Sequence, residues 1–424
     1  MDTPTHTVTY LTSKNLDPSI SVTDMFSSEG ILGNVKRIFK SEGDMSLLGI
    51  SYSLENLASN PRFRSKPSDL FLKMYAAALE TIDKDPKVAI LSPSLFASSG
   101  VITLTVLSVI PDIMRHYHDI IVAAQKEVLI ATNAWEMGQS VELVTSAFTE
   151  LNKRAGETGR KVVVKILMDA ITLKNAIQPR VPHAPDTWTK IGMPKPEEIP
   201  NLQVEIVNYH VAPLGTFHSK FMVADRQIGL INSNNINIRS NVEMMCRVEG
   251  DIVNSFYDTF LISWGRSLPN PPGLPCISTP AEPHREFYFA STHKGDPDQD
   301  QKLPASLVDQ LKSNEAHYYR QNSPAKSISV NNRLGVNKDA PETCSDDQSD
   351  FTPYYFHLKC DQVPMVLVNR PPYNLPGHGS LHNPQNAAWL AGNFKFYSTL
   401  MCRPETRSKG SVYTVACVQC GASC

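Results

Sequence analysis

Apolar runs and helix-period patterns divide the middle of the chain into predicted strands and helices. Residues 126–135 (KEVLIATNAW) are an apolar run that predicts a buried strand, and residues 161–169 (KVVVKILMD) are rich in β-branched side chains that predict a second one. Between them, residues 140–155 carry apolar side chains at helical spacing, with Ser140 as an N-cap candidate and Gly156 as a stop signal. A strand, a helix and a strand of these lengths predict a βαβ unit with a parallel sheet.

Two short runs further along predict a β-hairpin. Residues 217–224 (FHSKFMVA) and 228–232 (IGLIN) are typical of its two strands, and residues 225–227 are typical of the turn. Residues 253–264 (VNSFYDTFLISW) predict a helix that covers the sheet. We therefore expect an α/β domain over residues 96–266, with a mixed sheet flanked by helices.

The hairpin carries a set of side chains suited to phosphate chemistry. Residues two apart on a strand share a face, so His218 and Lys220 would project together. The return strand would deliver Ser233 and Asn235 beside them. An imidazole can perform a covalent or proton-transfer step, an ammonium stabilises phosphoryl oxygens, and hydroxyl and amide groups orient them. The pattern favours cleavage or transfer of a phosphodiester.

The same residues resemble the HxKxxxxD signature of the phospholipase D superfamily, with its downstream Gly-Ser-x-Asn. His218, Lys220 and Asp225 fall on the histidine, lysine and aspartate of HxKxxxxD, and Ser233 and Asn235 fall on the serine and asparagine of Gly-Ser-x-Asn. An isolated His-x-Lys is common, whereas all five residues in register on two predicted strands are a much more specific signal. The resemblance covers the α/β domain and is to a fungal-type phospholipase D-like or cardiolipin synthase-like protein with only the first motif intact.

Three neighbouring positions qualify this resemblance. Asn232 stands where the family usually has glycine, and we expect the turn to survive because asparagine accepts positive φ angles better than most residues. Asn133, at the end of a predicted strand, is an accessory candidate, with packing at the core edge as the alternative. Glu243 lies where the family often has an acid, with a solvated loop charge as the alternative.

The resemblance implies a mechanism that needs no metal and no cofactor. One histidine attacks phosphorus to form a phosphohistidine, a partner histidine protonates the leaving alcohol, and water or a second alcohol resolves the intermediate. His218 would take one of the two histidine roles, and Asp225 would orient its imidazole or hold the cationic form of the ring. The phosphate would be bound by Lys220, Ser233 and Asn235.

The chain divides into four predicted parts. Residues 1–95 form an N-terminal region in which 66–83 is a clear helix pattern without recognisable chemistry. The α/β domain follows, and residues 267–350 are Pro-rich and then polar, as in a linker. Residues 351–424 open like a second phospholipase D-type half and then lose the pattern, so the second half is expected to be incomplete.

No second His-x-Lys motif completes the resemblance. The nearest candidate, His357-Leu358-Lys359, has Pro364 where the motif requires an aspartate, and we interpret it as a surface strand. The resemblance therefore implies either a homodimer, in which each chain gives one motif to a shared active site, or a protein that is inactive as it stands.

Composition limits the partners and the compartment. The formal net charge of −2 over 424 residues gives no general attraction to nucleic acid or to an anionic membrane. The longest apolar stretch, 101–111, is shorter than the ~20 residues of a membrane span, and the first residues lack the apolar core of a signal peptide. We expect an intracellular protein, either cytoplasmic or in peripheral contact with a membrane. Cys417 and Cys420 have CxxC spacing but no second pair, which favours a simple tail over a metal site.

Three functions stay open at this level. The leading one is a phospholipase D-like phosphodiesterase or phosphatidyltransferase acting on phospholipid, which the apolar segment 99–111 and the near-neutral charge weakly favour. A nuclease of the same superfamily is the second, and the chain shows no basic groove pattern that would favour it. The third is a non-catalytic remnant that binds phosphate or a partner.

Overall fold

A computed structural model describes the α/β domain and parts of the flanking chain. It covers residues 54–82, 91–170, 172–211, 215–265, 354–357, 362–369 and 415–417. The predicted linker and most of the C-terminal tail, including Cys420, lie outside these residues. Within them, no helix combines the length and the apolar character needed to cross a membrane.

Five α-helices lie in the described part of the chain. They are α1 (Leu54–Ala58), α2 (Asp69–Ile82), α3 (Ile110–Ala123), α4 (Gln139–Glu157) and α5 (Val253–Trp264). Short 3-10 turns occupy Pro93–Leu95, Leu173–Ala176, Pro185–Ile191 and Pro196–Glu198. Helices α2, α4 and α5 confirm the predictions made from the apolar periodicity.

Twelve strands of the described residues form one mixed sheet. They are β1 (Ala97–Val109), β2 (Glu127–Ala131), β3 (Val162–Met168), β4 (Arg180–Pro182), β5 (Leu202–Val211), β6 (Gly215–Thr216), β7 (Phe221–Ala224), β8 (Ile228–Asn232), β9 (Val242–Glu249), β10 (Tyr354–Phe356), β11 (Val363–Val368) and β12 (Val415–Cys417). The strand order is β12-β11-β1-β9-β8-β7-β2-β3-β5-β4, with β10 on β1 and β6 on β5. Strands β2, β3 and β5 run parallel, whereas β7, β8 and β9 form an antiparallel meander.

The helices pack on both faces of the sheet, which confirms the predicted α/β architecture. One apolar core contains α2 and α5, with Tyr75, Phe256 and Trp264 among its buried side chains. The other contains α3 and α4, with Tyr117 and Phe148. Because strands covered on both faces bury side chains on both, β2 and β3 are buried along their whole length, and they are apolar except for Glu127 and Lys165.

The limits of two predicted elements were wrong. The predicted strand 217–224 begins only at Phe221, because the backbone N–H of Phe217 is bound by the Asp169 carboxylate at 2.6 Å instead of by a neighbouring strand. Helix α4 begins after Gly138, and the Ser140 hydroxyl donates to the Asn237 carbonyl at 2.6 Å rather than capping the helix. Gly156 lies within the helix, where a side chain would meet Asn201.

Most of the apolar segment 99–111 is explained by packing inside the protein, and Leu107 near its end is the exposed exception. Most of it belongs to β1, which pairs with β9 and with β11 in the interior of the sheet. Its side chains are largely buried, including those of Val101, Leu104 and Val106. The burial of most of this segment therefore removes it as a reason to favour lipid, and the choice between phospholipid and nucleic acid does not follow from it.

The C-terminal strands β11 and β12 extend the sheet of the motif-bearing domain. Strand β11 pairs antiparallel with β1, and β12 pairs parallel with β11. Strand β10 ends at Phe356, and His357 follows it with its Nε2 2.8 Å from the Thr105 hydroxyl, so this histidine serves an edge contact. The division into four domains stays a prediction.

Candidate functional site

The candidate residues meet at one edge of the sheet, which we call the site edge. Strands β2, β3 and β8 end at this edge, and β7 and β9 begin there. Asn133 follows β2, Ser233 follows β8, and His218 precedes β7. Loops that follow parallel strands lie at the carboxyl end of the sheet, where α/β proteins commonly place their ligands.

His218 and Lys220 form the central contact of the site. The Lys220 Nζ lies 3.2 Å from Nδ1 and 3.3 Å from Nε2 of the His218 ring, and 2.9 Å from the His218 carbonyl oxygen. Lys220 is only 4% exposed, whereas His218 is half-buried. Burial lowers the pKa of the Lys220 ammonium to about 8, and the nearby Glu243 carboxylate offsets part of this effect. The two side chains therefore project together, as the spacing predicts.

Asn133 and Asn235 lie against the segment that carries His218. The Asn133 amide donates to the Phe217 carbonyl at 3.3 Å, and the Asn235 side-chain oxygen accepts from the Ala134 N–H at 3.3 Å. A parallel bridge between Trp135 and Ile236 joins the loops after β2 and β8 next to these contacts. Through these bonds the loop of Asn133 touches both the His218 segment and Asn235.

Ser233 and Glu243 form a hydrogen-bonded pair at the exposed side of the site. The Ser233 hydroxyl donates to the Glu243 carboxylate and accepts the Met244 N–H at 2.9 Å. The other Glu243 oxygen accepts the side-chain amide of Asn241. Glu243 is therefore part of the site surroundings, because it holds Ser233 and acts electrostatically on Lys220.

Asp225 does not lie near His218, contrary to the prediction. It sits at the far end of β7, so the length of that strand, roughly 13 Å for four residues, separates the two. Its carboxylate accepts the backbone N–H groups of Gln125, Lys126 and Glu127 at 2.7, 2.7 and 2.9 Å. A carboxylate that binds three N–H groups of the α3–β2 connection orders that turn and cannot orient the imidazole.

The turn after β7 explains why the chain needs Asp225 there. Asp225 and Arg226 have φ angles of 49° and 55°, and the Gln227 N–H closes the turn on the Ala224 carbonyl at 3.0 Å. Two successive positive φ angles are typical of a tight hairpin turn, and aspartate tolerates them better than most residues. Arg226 is anchored by the buried Glu127 carboxylate at 2.8 Å.

Asn232 also differs from its predicted use. It is the last residue of β8 and is not among the described residues with positive φ. Its side-chain oxygen accepts the Tyr117 hydroxyl, its amide donates to the Asn234 carbonyl at 2.6 Å, and its N–H donates to the Lys220 carbonyl at 3.2 Å. The buried side chain of Asn232 therefore bonds to helix α3, while its backbone bonds to Lys220, the residue before β7.

The sequence pattern missed a buried acid–histidine pair behind the site. Asp169 lies 2.9 Å from Nδ1 of His210 and accepts the Phe217 N–H with its other oxygen at 2.6 Å. Burial raises the pKa of Asp169, and His210 and the Phe217 N–H partly counteract the rise. The available signal was the position of Asp169 immediately after β3, which matches that of Asn133 after β2.

The C-terminal segment also reaches the site. The Ser219 hydroxyl, between the two candidate residues, donates to the side-chain oxygen of Asn369 at 3.0 Å. Asn369 directly follows β11, so pairing of that strand with β1 brings it there. No group of three or more His, Cys, Asp or Glu side chains within the described residues is arranged as metal ligands.

Comparison with protein families identifies the class of this domain. Residues 117–264 match the family described as "Cardiolipin synthase, PLD-like domain", and they contain β2 to β9, α4, α5 and every candidate site residue. This stretch of the chain is thus similar to a phospholipase D-like domain. No curated protein sequence matches the chain.

Solved structures with a partial likeness include three different kinds of protein. The archaeal chromatin protein TrmBL2 matches with 14% identity over 39% of this chain and 54% of its own, at a TM-score of 0.25. Nuc from Salmonella typhimurium, a phospholipase D family member, matches with 14% identity over 39% of this chain and 95% of its own, at a TM-score of 0.23. Phosphatidylserine synthase of Haemophilus influenzae Rd KW20 matches with 14% identity over 39% of each chain, at 0.26. The chain thus spans about half the length of TrmBL2 and less of the synthase.

Proposed function

We propose that this domain is a phospholipase D-like phosphodiesterase that acts on phospholipid, with His218 as the group that attacks phosphorus or protonates the leaving group. The observation that carries the proposal is the buried Lys220 ammonium within 3.3 Å of both ring nitrogens of His218. An ammonium at this distance from the reacting imidazole meets the phosphoryl oxygens on which negative charge builds during attack.

The reaction would proceed in two balanced steps. In the first, a ring nitrogen of His218 forms a bond to phosphorus, the bond from phosphorus to the alcohol oxygen breaks, and that oxygen takes a proton from an acid. In the second, water or another alcohol gives up a proton to the same group and displaces the histidine. Lys220 would bind the phosphoryl oxygens in both steps, with Asn235 and Asn133 beside it.

The acid is proposed to be His218 of a second copy of this chain. One imidazole cannot serve as nucleophile and as acid in the same step, and positioned acid catalysis contributes roughly 10²- to 10⁴-fold. The described residues hold no second His-x-Lys pair at the site edge, and Asp225 is too distant to substitute. Turnover per chain should therefore rise with concentration through the monomer–dimer transition.

Turnover of three substrates tests this proposal. We expect hydrolysis of bis(p-nitrophenyl) phosphate and of phospholipid, and little of DNA, and we expect His218→Ala to reduce turnover at least about 10³-fold because it removes the nucleophile. His118→Ala is the matched control, since this half-buried histidine lies on helix α3 and pairs with Asp119. Equal activity of the two variants would refute the assignment of His218, and a strong preference for DNA would replace phospholipid by nucleic acid.

A further inference from the structure

Exposed apolar side chains concentrate at one end of the described fold. Seven large apolar side chains among the described residues are strongly exposed, and all of them lie at the site edge. They are Leu107, Met137, Leu173, Ile177, Ile238, Val242 and Met244, and we call this set the apolar rim. Scattered exposed apolar residues are ordinary, whereas a set that shares one edge indicates a surface that meets something apolar.

One part of the apolar rim lies on strands β1 and β9. Leu107 and Met244 are directly paired in the sheet register, and Val242 lies two residues from Met244 on the same face. The Met244 N–H donates to the Ser233 hydroxyl at 2.9 Å, so this part adjoins the site directly. The strand order places it on one side of His218 and Lys220.

The other part lies in the loops beyond β2, β3 and β8. The Ile238 side chain approaches the backbone at Gly138, the residue that follows Met137. Leu173 and Ile177 belong to the loop after β3 and are 95% and 92% exposed, close to the value of a free side chain. Because β3 lies beyond β2 in the sheet, these loops flank the site on the side opposite to β9.

The charges between these side chains fit a phospholipid surface. Lys174 follows Leu173 and Arg239 follows Ile238, and both cations are exposed. Aliphatic tips with adjacent Lys or Arg are typical of proteins that insert shallowly into a bilayer, where the cations meet lipid phosphates. Glu136, beside Met137, is exposed as well, so the attraction rests mainly on the apolar side chains. A single-stranded nucleic acid would instead require stacking aromatics along a basic groove.

We propose that the apolar rim docks this domain onto a phospholipid bilayer, with the site edge facing the head groups. The inference deepens the proposed function, because it identifies the substrate as a phosphodiester presented at a membrane surface. Docking would bring the lipid phosphate to Lys220 and His218 without lifting the acyl chains out of the bilayer.

Co-sedimentation of the full chain with vesicles tests the docking independently of catalysis. The His218→Ala chain is mixed with vesicles of phosphatidylcholine containing a minority of phosphatidylglycerol, and bound protein is measured. The double change Leu173→Ser with Ile177→Ser should weaken binding by about tenfold or more, since burying even one aliphatic side chain is worth roughly that factor. Ile238→Ser should weaken vesicle binding less than the double change. The Ile238 side chain is only 60% exposed, so it has less surface left to bury in the bilayer.

Controls separate the docking from the chemistry. Glu157→Ser, an exposed change at the end of α4 away from the site edge, should bind vesicles like the parent. With His218 intact, the Leu173/Ile177 variant should lose turnover of vesicle lipid and keep turnover of soluble bis(p-nitrophenyl) phosphate. If no substrate is turned over but the variant still loses vesicle binding, the proposed function fails and the docking stands.

Three outcomes would overturn the docking. The first is absence of vesicle binding by the parent, or equal binding by parent and variant. The second is a parent dimer that the Leu173/Ile177 change dissociates while vesicle binding is unchanged, which would assign the rim to a second copy. The third is a loss of DNA binding in the variant with no effect on vesicles.

Discussion

The Nζ atom of Lys220 lies 2.9 Å from the carbonyl oxygen of His218 and 3.2 Å from Nδ1 of the same residue. The lysine thus folds back over the histidine two positions before it, in a pocket that leaves it 4% exposed. Burial disfavours the charged ammonium, and the charge is what phosphate binding requires. The phosphate-binding role proposed for Lys220 therefore predicts that activity depends on pH.

Activity should fall as the pH rises through about 8. The pKa of Lys220 is lowered to about 8 by burial, so the ammonium is charged below that pH and neutral above it. We expect kcat/KM for a soluble phosphodiester to decrease by about tenfold per pH unit on the alkaline side, because kcat/KM reports the free enzyme.

Lys220→Arg provides the control for this pH dependence. A guanidinium stays charged throughout the range, although it is bulkier and weakens the site. The variant should be slower at neutral pH and should lack the decrease near pH 8. If kcat/KM decreased in the same way above about pH 8 in the parent and in the variant, the titrating group would not be Lys220.

Asp225→Asn should reduce stability and leave the chemistry nearly unchanged. The carboxylate accepts three backbone N–H groups far from His218, and hydrogen bonds to a charged group contribute about 1.5–3 kcal/mol each. We expect the free energy of unfolding in urea to fall by about 2 kcal/mol and kcat/KM of the folded protein to change by less than about threefold. Asparagine tolerates the positive φ angle of position 225, whereas alanine does not. The further decrease in the free energy of unfolding from Asp225→Asn to Asp225→Ala would therefore measure the cost of this backbone conformation. A large loss of kcat/KM with unchanged stability would restore the catalytic role.

The bond between Tyr117 and Asn232 should appear in a double-mutant cycle. Both side chains are buried, and removing one partner leaves the other without its hydrogen bond, at a cost of about 1–3 kcal/mol. Tyr117→Phe and Asn232→Gly should each lower the free energy of unfolding. The decrease in the double variant should be smaller than the sum of the two single decreases. Fully additive values from urea unfolding would show that the two side chains do not depend on each other.

Asp169→Asn should disturb the site through the backbone. Asp169 holds both the Phe217 N–H and the His210 ring, so it acts as a positioning residue for the segment that carries His218. We expect kcat to fall by about ten- to a hundredfold with a smaller change in KM, since slight misplacement of a reacting group affects the transition state most. His210→Gln should have a milder effect in the same direction, as it leaves the Phe217 bond intact.

A purely structural role of Asp169 would give a different result. If the aspartate only supports the fold, the variant should unfold at lower urea concentration and the folded fraction should keep its kcat. Measuring kcat per folded molecule, with the folded fraction from circular dichroism, separates these two results.

Patterns within short stretches of chain were enough to predict helices α2, α4 and α5, strands β2, β3, β7 and β8 apart from some of their limits, and the central pair of the site. The apolar periodicity of α4 and α5 and the β-branched runs of β2 and β3 depend on neighbouring residues, and burial on both faces of the sheet follows from them. The contact of His218 with Lys220 is equally local, since residues two apart in an extended segment project to the same side.

The roles of Asp225, Asn232 and Asp169 depended on partners distant in the chain. Asp225 binds N–H groups about one hundred positions earlier, and Asn232 meets Tyr117 across 115 positions. Such partners are set by sheet register and helix packing, which no spacing within the motif encodes. The residue types of the motif could therefore be recognised in the sequence, whereas the contacts that each of them makes were decided by how the strands align, because each carboxylate or amide binds the donors that the fold brings within about 3 Å.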